Sequence, residues 1–244
     1  MTNAKNISAT PVLAKSKHVV LGTILGLGMA LAGTSAMASV ISTATTNNTG
    51  FSVASNDLLS GLTGTISGSV INEESLQTNT NGAALTDGAF GNIALTSSNP
   101  DMVLFHNGSS ITYMLPTLAG GYTISSISSF TGWRDTGRVE QDYTVSFAFA
   151  SNPTSFINEF TVNADLTSGN DMQVTTANST GAALGTNVVG IRFNFATTQN
   201  GYVGYRELDV VGAASVPEPA SVFLLGLGAL GLLATTRRKF FGKN

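Results

Sequence analysis

Tyr143, Val145, Phe147 and Phe149 alternate with Thr144, Ser146 and Ala148, and the same beat returns at Val189, Ile191, Phe193 and Phe195. Successive side chains of a β-strand point to opposite faces, so this period of two buries one face and wets the other. Ile111, Tyr113 and Leu115 repeat it upstream, and Leu208 and Val210 close the set. Turn-forming clusters separate the runs at Ser151-Asn152-Pro153, at 167–170 and at 198–201. No stretch between 39 and 215 sustains a helical period. The pattern predicts an all-β passenger of antiparallel strands, a β-sandwich.

The core of that sandwich is expected over 85–212. Residues 39–84 are rich in Ser, Thr, Gly and Asn, with weak alternation at Leu62, Ile66 and Val70. They are expected as an extra strand pair or a partly mobile lead-in. The chain has no cysteine, so no disulfide framework supports the fold and thiol catalysis and Cys-ligated zinc are excluded. A passenger of this size can bury a core without staples.

Short landmarks occur in a telling order: Thr86-Asp87-Gly88, Ile111 to Leu115, Gly132-Trp133-Arg134-Asp135 with Arg138, Tyr143 to Val145, Gly190 to Phe193, and Tyr205 to Val210. In that order they resemble the galactose-binding-like jelly roll, the discoidin or F5/8 type C superfamily. The resemblance implies a structural calcium, with Asp87 of the Asp-Gly turn and Glu207 of the last strand as ligands. Hard Ca²⁺ takes several oxygens, and carboxylates plus turn carbonyls suit it. The plainer reading has Asp87 closing its own turn and Glu207 paired with an arginine.

Trp133, Arg134, Asp135 and Arg138 form the densest polar-aromatic cluster. Carbohydrate readers stack a sugar face on an aromatic ring and fix hydroxyls with arginine and carboxylate, so these four are candidate ligand-binding residues. The competing reading makes Trp133 a packing residue at the end of the sandwich. Enzyme chemistry finds little purchase. His106 is the one imidazole beyond the leader, no Gly-x-Ser-x-Gly elbow accompanies it, and zinc would need further histidines. A non-enzyme is expected.

Both ends read as addresses. Lys5, Lys15 and Lys17 precede an apolar run from Val19 to Ala32, and Ala36-Met37-Ala38 supplies small residues where signal peptidase reads. Residues 1–38 are expected as a secretory signal cut after Ala38. Residues 213–244 hold Val216-Pro217-Glu218-Pro219, an uncharged apolar run from Ala220, and Arg237-Arg238-Lys239. Over 220–236 the run reaches the low end of the roughly 17–25 residues that span a bilayer, and the basic cluster is expected on the cytoplasmic side. The three parts together resemble the PEP-CTERM sorting signal of Gram-negative bacteria. That resemblance implies processing by exosortase and a cell-surface or extracellular, exopolysaccharide-associated destination.

Of eleven basic residues, three lie before residue 39 and four beyond 215. The passenger keeps four arginines and no lysine against thirteen acids, a net charge of −9. Such a surface repels nucleic acid and anionic lipid, so neither is an expected partner of the passenger. Two expectations for function result. The first is an exported, non-catalytic module that binds a glycan such as exopolysaccharide. The second is a structural matrix or adhesion protein with no small-ligand site.

Overall fold

The computed structural model describes residues 39–71, 80–91, 101–133, 137–165, 168–196 and 199–215. The expected signal with Ala36 and Ala38, the sorting residues Val216, Pro217, Glu218, Pro219, Arg237, Arg238 and Lys239, and the expected membrane helix 220–236 lie outside them. Among the described residues the regular structure is eleven strands and two 3-10 turns, and no helix is long and apolar enough to cross a membrane. The all-β expectation holds.

The strands are β1 (Val40–Asn47), β2 (Thr65–Ser67), β3 (Val70–Ile71), β4 (Val103–His106), β5 (Ser110–Met114), β6 (Tyr122–Gly132), β7 (Gln141–Phe149), β8 (Asn152–Ala164), β9 (Asp171–Asn178), β10 (Gly185–Phe195) and β11 (Tyr202–Ala214). All named pairings are antiparallel. One half of the sheet runs β1-β9-β6-β11-β4-β3 and the other β2-β5-β10-β7-β8. The start of β10 pairs with β6 at Gly185 and Val188 and joins the halves. Three strands of the first segment are built into this sheet, since β1 pairs with β9, β2 with β5 and β3 with β4.

Among the described residues the halves share the larger of two buried apolar clusters. Phe193, Tyr143, Val145 and Ile191 of one half share it with Ile127, Val174, Leu208 and Val210 of the other. At its centre Phe105 stacks on Phe195 at 4.2 Å and Phe195 lies 4.7 Å from Tyr205, close to the separations aromatic pairs favour. The register departs from strict alternation at bulges. Between Val188 and Gly190 a bulge shifts β10, so Val188 faces the core and Val189 is only half-buried. An inserted residue reverses the parity of the strand beyond it.

Phe193 lies in the shared core and Ser155 on the outer strand β8 is exposed. Phe193→Ala is expected to cost ~3–5 kcal/mol through lost transfer energy and a residual cavity. Ser155→Ala should stay within about 0.5 kcal/mol. Denaturant unfolding of the purified chain reads both, and a Phe193→Ala cost under about 1 kcal/mol would contradict this core.

Candidate functional site

β11 is buried on both faces from Val203 to Val210. Val203, Tyr205, Leu208 and Val210 enter the core. A bulge against β6 between Tyr205 and Glu207 reverses the parity, so Glu207 and Asp209, two apart on the strand, share the opposite face. Asp57 reaches them from the first segment, where it bridges to Val211.

Each of these carboxylates has one oxygen fixed by backbone. Asp57 Oδ1 accepts from the Val210 and Leu59 N–H groups at 2.6 and 3.0 Å. Asp209 Oδ2 accepts from Ala54 N–H at 2.6 Å, and Glu207 Oε1 from Gly88 N–H at 3.1 Å. The second oxygens, Asp57 Oδ2, Glu207 Oε2 and Asp209 Oδ1, are buried with no hydrogen-bond partner. One carboxylate oxygen from each residue lies within 4.8 Å of those of the other two. The Tyr113 hydroxyl, carried on β5, is buried and unpartnered as well, and it feels the charges of Glu207 and Asp57.

Burial, then the neighbouring Asp209, push Glu207 up to about 9. Burial raises Asp209 to about 6 and raises Asp57 as well, in both cases against backbone hydrogen bonds that favour the charged form. The cause is physical: desolvation and like charge both disfavour a carboxylate.

Asp87 sits beside this group and not within it. It is exposed and closes its own turn, its Oδ1 accepting from Ala89 N–H at 2.9 Å. The Asp-Gly turn and β11 do meet, through Gly88 N–H. Arg206, adjacent to Glu207 in sequence, is spent elsewhere: its Nε donates to Gly132 O at 3.3 Å, and Asp171 is the first charge that favours its ionised form. Sequence reasoning missed Asp57 and Asp209. The Glu207/Asp209 pair at a spacing of two on a strand was the available signal.

The second constellation lies where β4, β11 and the 137–140 turn converge. Trp133 is 3% exposed and packs with Met102, Leu104 and Val139. Its ring is therefore not an open platform. Arg138 Cζ stands 4.7 Å from the Trp133 ring and 4.4 Å from that of Tyr202, and Arg138 Nη2 donates to the Tyr202 hydroxyl at 2.8 Å. His106 meets Tyr202 edge-on at 6.0 Å. Its Nδ1 lies 3.0 Å from the Gly201 carbonyl; a carbonyl only accepts, so Nδ1 carries the proton and Nε2 is left as an acceptor. Arg138, Tyr202 and His106 are all half-exposed. Arg134 and Asp135 lie outside the described residues.

Residues 215–239 match the family model described as the PEP-CTERM protein-sorting motif. The motif indicates exosortase-dependent export and sorting to the cell envelope. No curated protein matches the chain. Similar solved structures include a chitosan-binding module of a chitosanase/glucanase from Paenibacillus sp. IK-5, at 17% identity over 64% of this chain and 98% of that one, TM-score 0.40. A family 32 carbohydrate-binding module from Clostridium perfringens, determined with galactose, is 12% identical over 70% of this chain and 92% of its own, TM-score 0.36. An F5/8 type C domain from Bacteroides fragilis is 14% identical over 64% and 99%, TM-score 0.38.

The buried carboxylates fix the sign of a pH effect. Glu207 and Asp209 take up protons in the folded state at about 9 and 6, against about 4 unfolded. A raised carboxylate contributes stability below its unfolded value and loses it as pH rises through the folded one. In chelator the thermal midpoint is expected to fall between about pH 5 and pH 9, and Glu207→Gln should flatten the fall. A midpoint rising over that window would contradict the geometry.

Proposed function

We propose that the chain is an exported, non-catalytic glycan-binding protein of the cell surface. Signal peptidase releases it after Ala38, and exosortase recognises Val216-Pro217-Glu218-Pro219 with Arg237-Arg238-Lys239 behind the apolar anchor 220–236. The passenger then holds a saccharide, such as a stretch of exopolysaccharide, at the edge where Arg138, Tyr202 and His106 meet.

The observation that supports this reading is the preorganised Arg138. Its guanidinium lies between two aromatic rings and is hydrogen-bonded to the Tyr202 hydroxyl. Such packing fixes a planar fork of donors before any ligand arrives, which lowers the ordering cost of binding. The His106 Nε2 acceptor and the Tyr202 hydroxyl add complementary hydrogen-bonding groups within the same patch. Trp133 supports Arg138 from below in this reading and does not itself stack on sugar. Arg134 and Asp135 adjoin the patch in sequence as further candidate contacts.

The burial of Trp133 also favours a second reading, a structural matrix or adhesion protein whose sandwich spaces and packs without a small-ligand site. Titration of the purified chain with exopolysaccharide fragments and a glycan array separates the two. Glycan binding should fall at least tenfold in Arg138→Ala and Tyr202→Ala, about 1.4 kcal/mol or more, while Ser155→Ala leaves it unchanged. A folded chain that binds no glycan would leave the structural reading standing.

A further inference from the structure

We infer that the sandwich gates the processing of its own sorting tail: Ser215 is clasped to the fold, and exosortase engages the motif only when that clasp opens. The gate rests on the sorting half of the proposed function and is independent of glycan binding.

The first observation is an overlap. The sorting-motif match begins at Ser215, and Ser215 belongs to the fold. β11 runs to Ala214, with Ala213 opposite Thr123 and Ala214 opposite Tyr122 of β6. Ser215 then donates its N–H to the Gly121 carbonyl at 2.9 Å. Its Oγ accepts from Asn187 N–H at 3.2 Å and shares a 3.0 Å hydrogen bond with Thr123 Oγ1. Val216-Pro217-Glu218-Pro219 follows directly in sequence, with no residue between the clasp and the motif.

The second is how the clasp is built. It lies where β10 joins the halves, since Val188 pairs with Tyr122. Asn187 has a φ of 59°, the one positive value among the described non-glycine residues, and Gly121 has a φ of 66°. Glycine and asparagine enter this left-handed region more readily than other residues. A side chain at Gly121 would stand 2.7 Å from the Asn187 carbonyl carbon. Two unusual backbone conformations thus converge on the serine that opens the motif.

The third is reach. Four residues separate Ser215 from Ala220, where the apolar run begins, and so short a chain extends at most ~17 Å. The headgroup layer takes up about 5–8 Å of that. An enzyme working there has the bilayer on one side and the Gly121–Asn187 pole of the sandwich on the other. Ser215 cannot lie extended in an enzyme cleft while its N–H is bonded to Gly121, because one donor serves one acceptor well. Opening is within reach, since Ala213 and Ala214 are exposed and strand ends with few apolar contacts open at the low end of local stability. The clasp therefore slows processing without forbidding it.

The test follows the full chain, tagged after Asn244, by pulse labelling in cells that carry an exosortase; separation of the tag from the passenger reads processing. A six-residue Gly/Ser insertion between Ser215 and Val216 is expected to speed it at least threefold. Thr123→Val removes one hydrogen bond to Ser215, and Gly121→Ala crowds Asn187. Both should speed processing as well, with faster amide exchange at Ser215 in the purified chain. Thr123→Val added to the insertion should bring no further gain, whereas a general loss of stability would still add. Circular dichroism verifies the fold, and should Gly121→Ala not fold, the insertion and Thr123→Val carry the comparison. Processing no faster than wild type in both of those chains would overturn the gate and leave the sorting reading standing. Equal tag retention in the wild type and in a Pro217→Ala, Glu218→Ala, Pro219→Ala chain would overturn the sorting reading, and the gate with it.

Discussion

β11 is buried on both faces, and the rest of the passenger is organised by what that demands. One face offers Val203, Tyr205, Leu208 and Val210 to the core, which any sandwich strand can do. The other offers Arg206, Glu207 and Asp209, and a low-dielectric interior tolerates those only when they are satisfied. The chain brings other segments to them. Asp57 and Ala54 come from the first segment, Gly88 from the Asp-Gly turn, and Asp171 from the start of β9. Asp57 and Val210 are 153 residues apart in sequence and joined by a 2.6 Å hydrogen bond. These polar contacts hold Ala54, Asp57 and Gly88 against β11.

How legible the fold was in the sequence depended on the kind of burial. β7 and most of β10 were readable because one apolar face repeats every two residues, and Tyr143, Val145, Ile191 and Phe193 are all 0% exposed. β6 was not, although it pairs with both β11 and β9. Ile124 and Ile127, both core residues, are three apart, and the sheet reconciles them through a register shift near Val211 and Gly212. β1 and β8 were hidden for another reason. They are largely exposed on both faces, so no hydrophobic pattern marks them and only backbone pairing makes them strands.

The candidate sites follow the same division. Arg138 was visible as part of a dense cluster, but its real partner, Tyr202, comes from β11 and is separated from it by 64 residues. Trp133 was visible as an aromatic in a polar loop, and the structure turns its ring inward onto Met102, Leu104 and Val139. Asp57 accepts from the N–H two residues on, as a turn aspartate does. Its other oxygen acquires a meaning only when β11 arrives beside it. Local chemistry was legible, whereas long-range convergence was not.

The matched tail of 215–239 concerns delivery, while the lysine-free passenger carries a net charge of −9. The claim on which the account turns is that the back face of β11 is completed by segments far from it in sequence, above all by Asp57, whose Oδ1 accepts from the Val210 N–H. The most direct measurement is a crystal structure of the purified chain. The account predicts Asp57 at hydrogen-bonding distance from Val210, with Glu207 and Asp209 buried beside it and Asp87 closing its own turn. An Asp57 turned to solvent, or a β11 whose Glu207 and Asp209 face water, would contradict it.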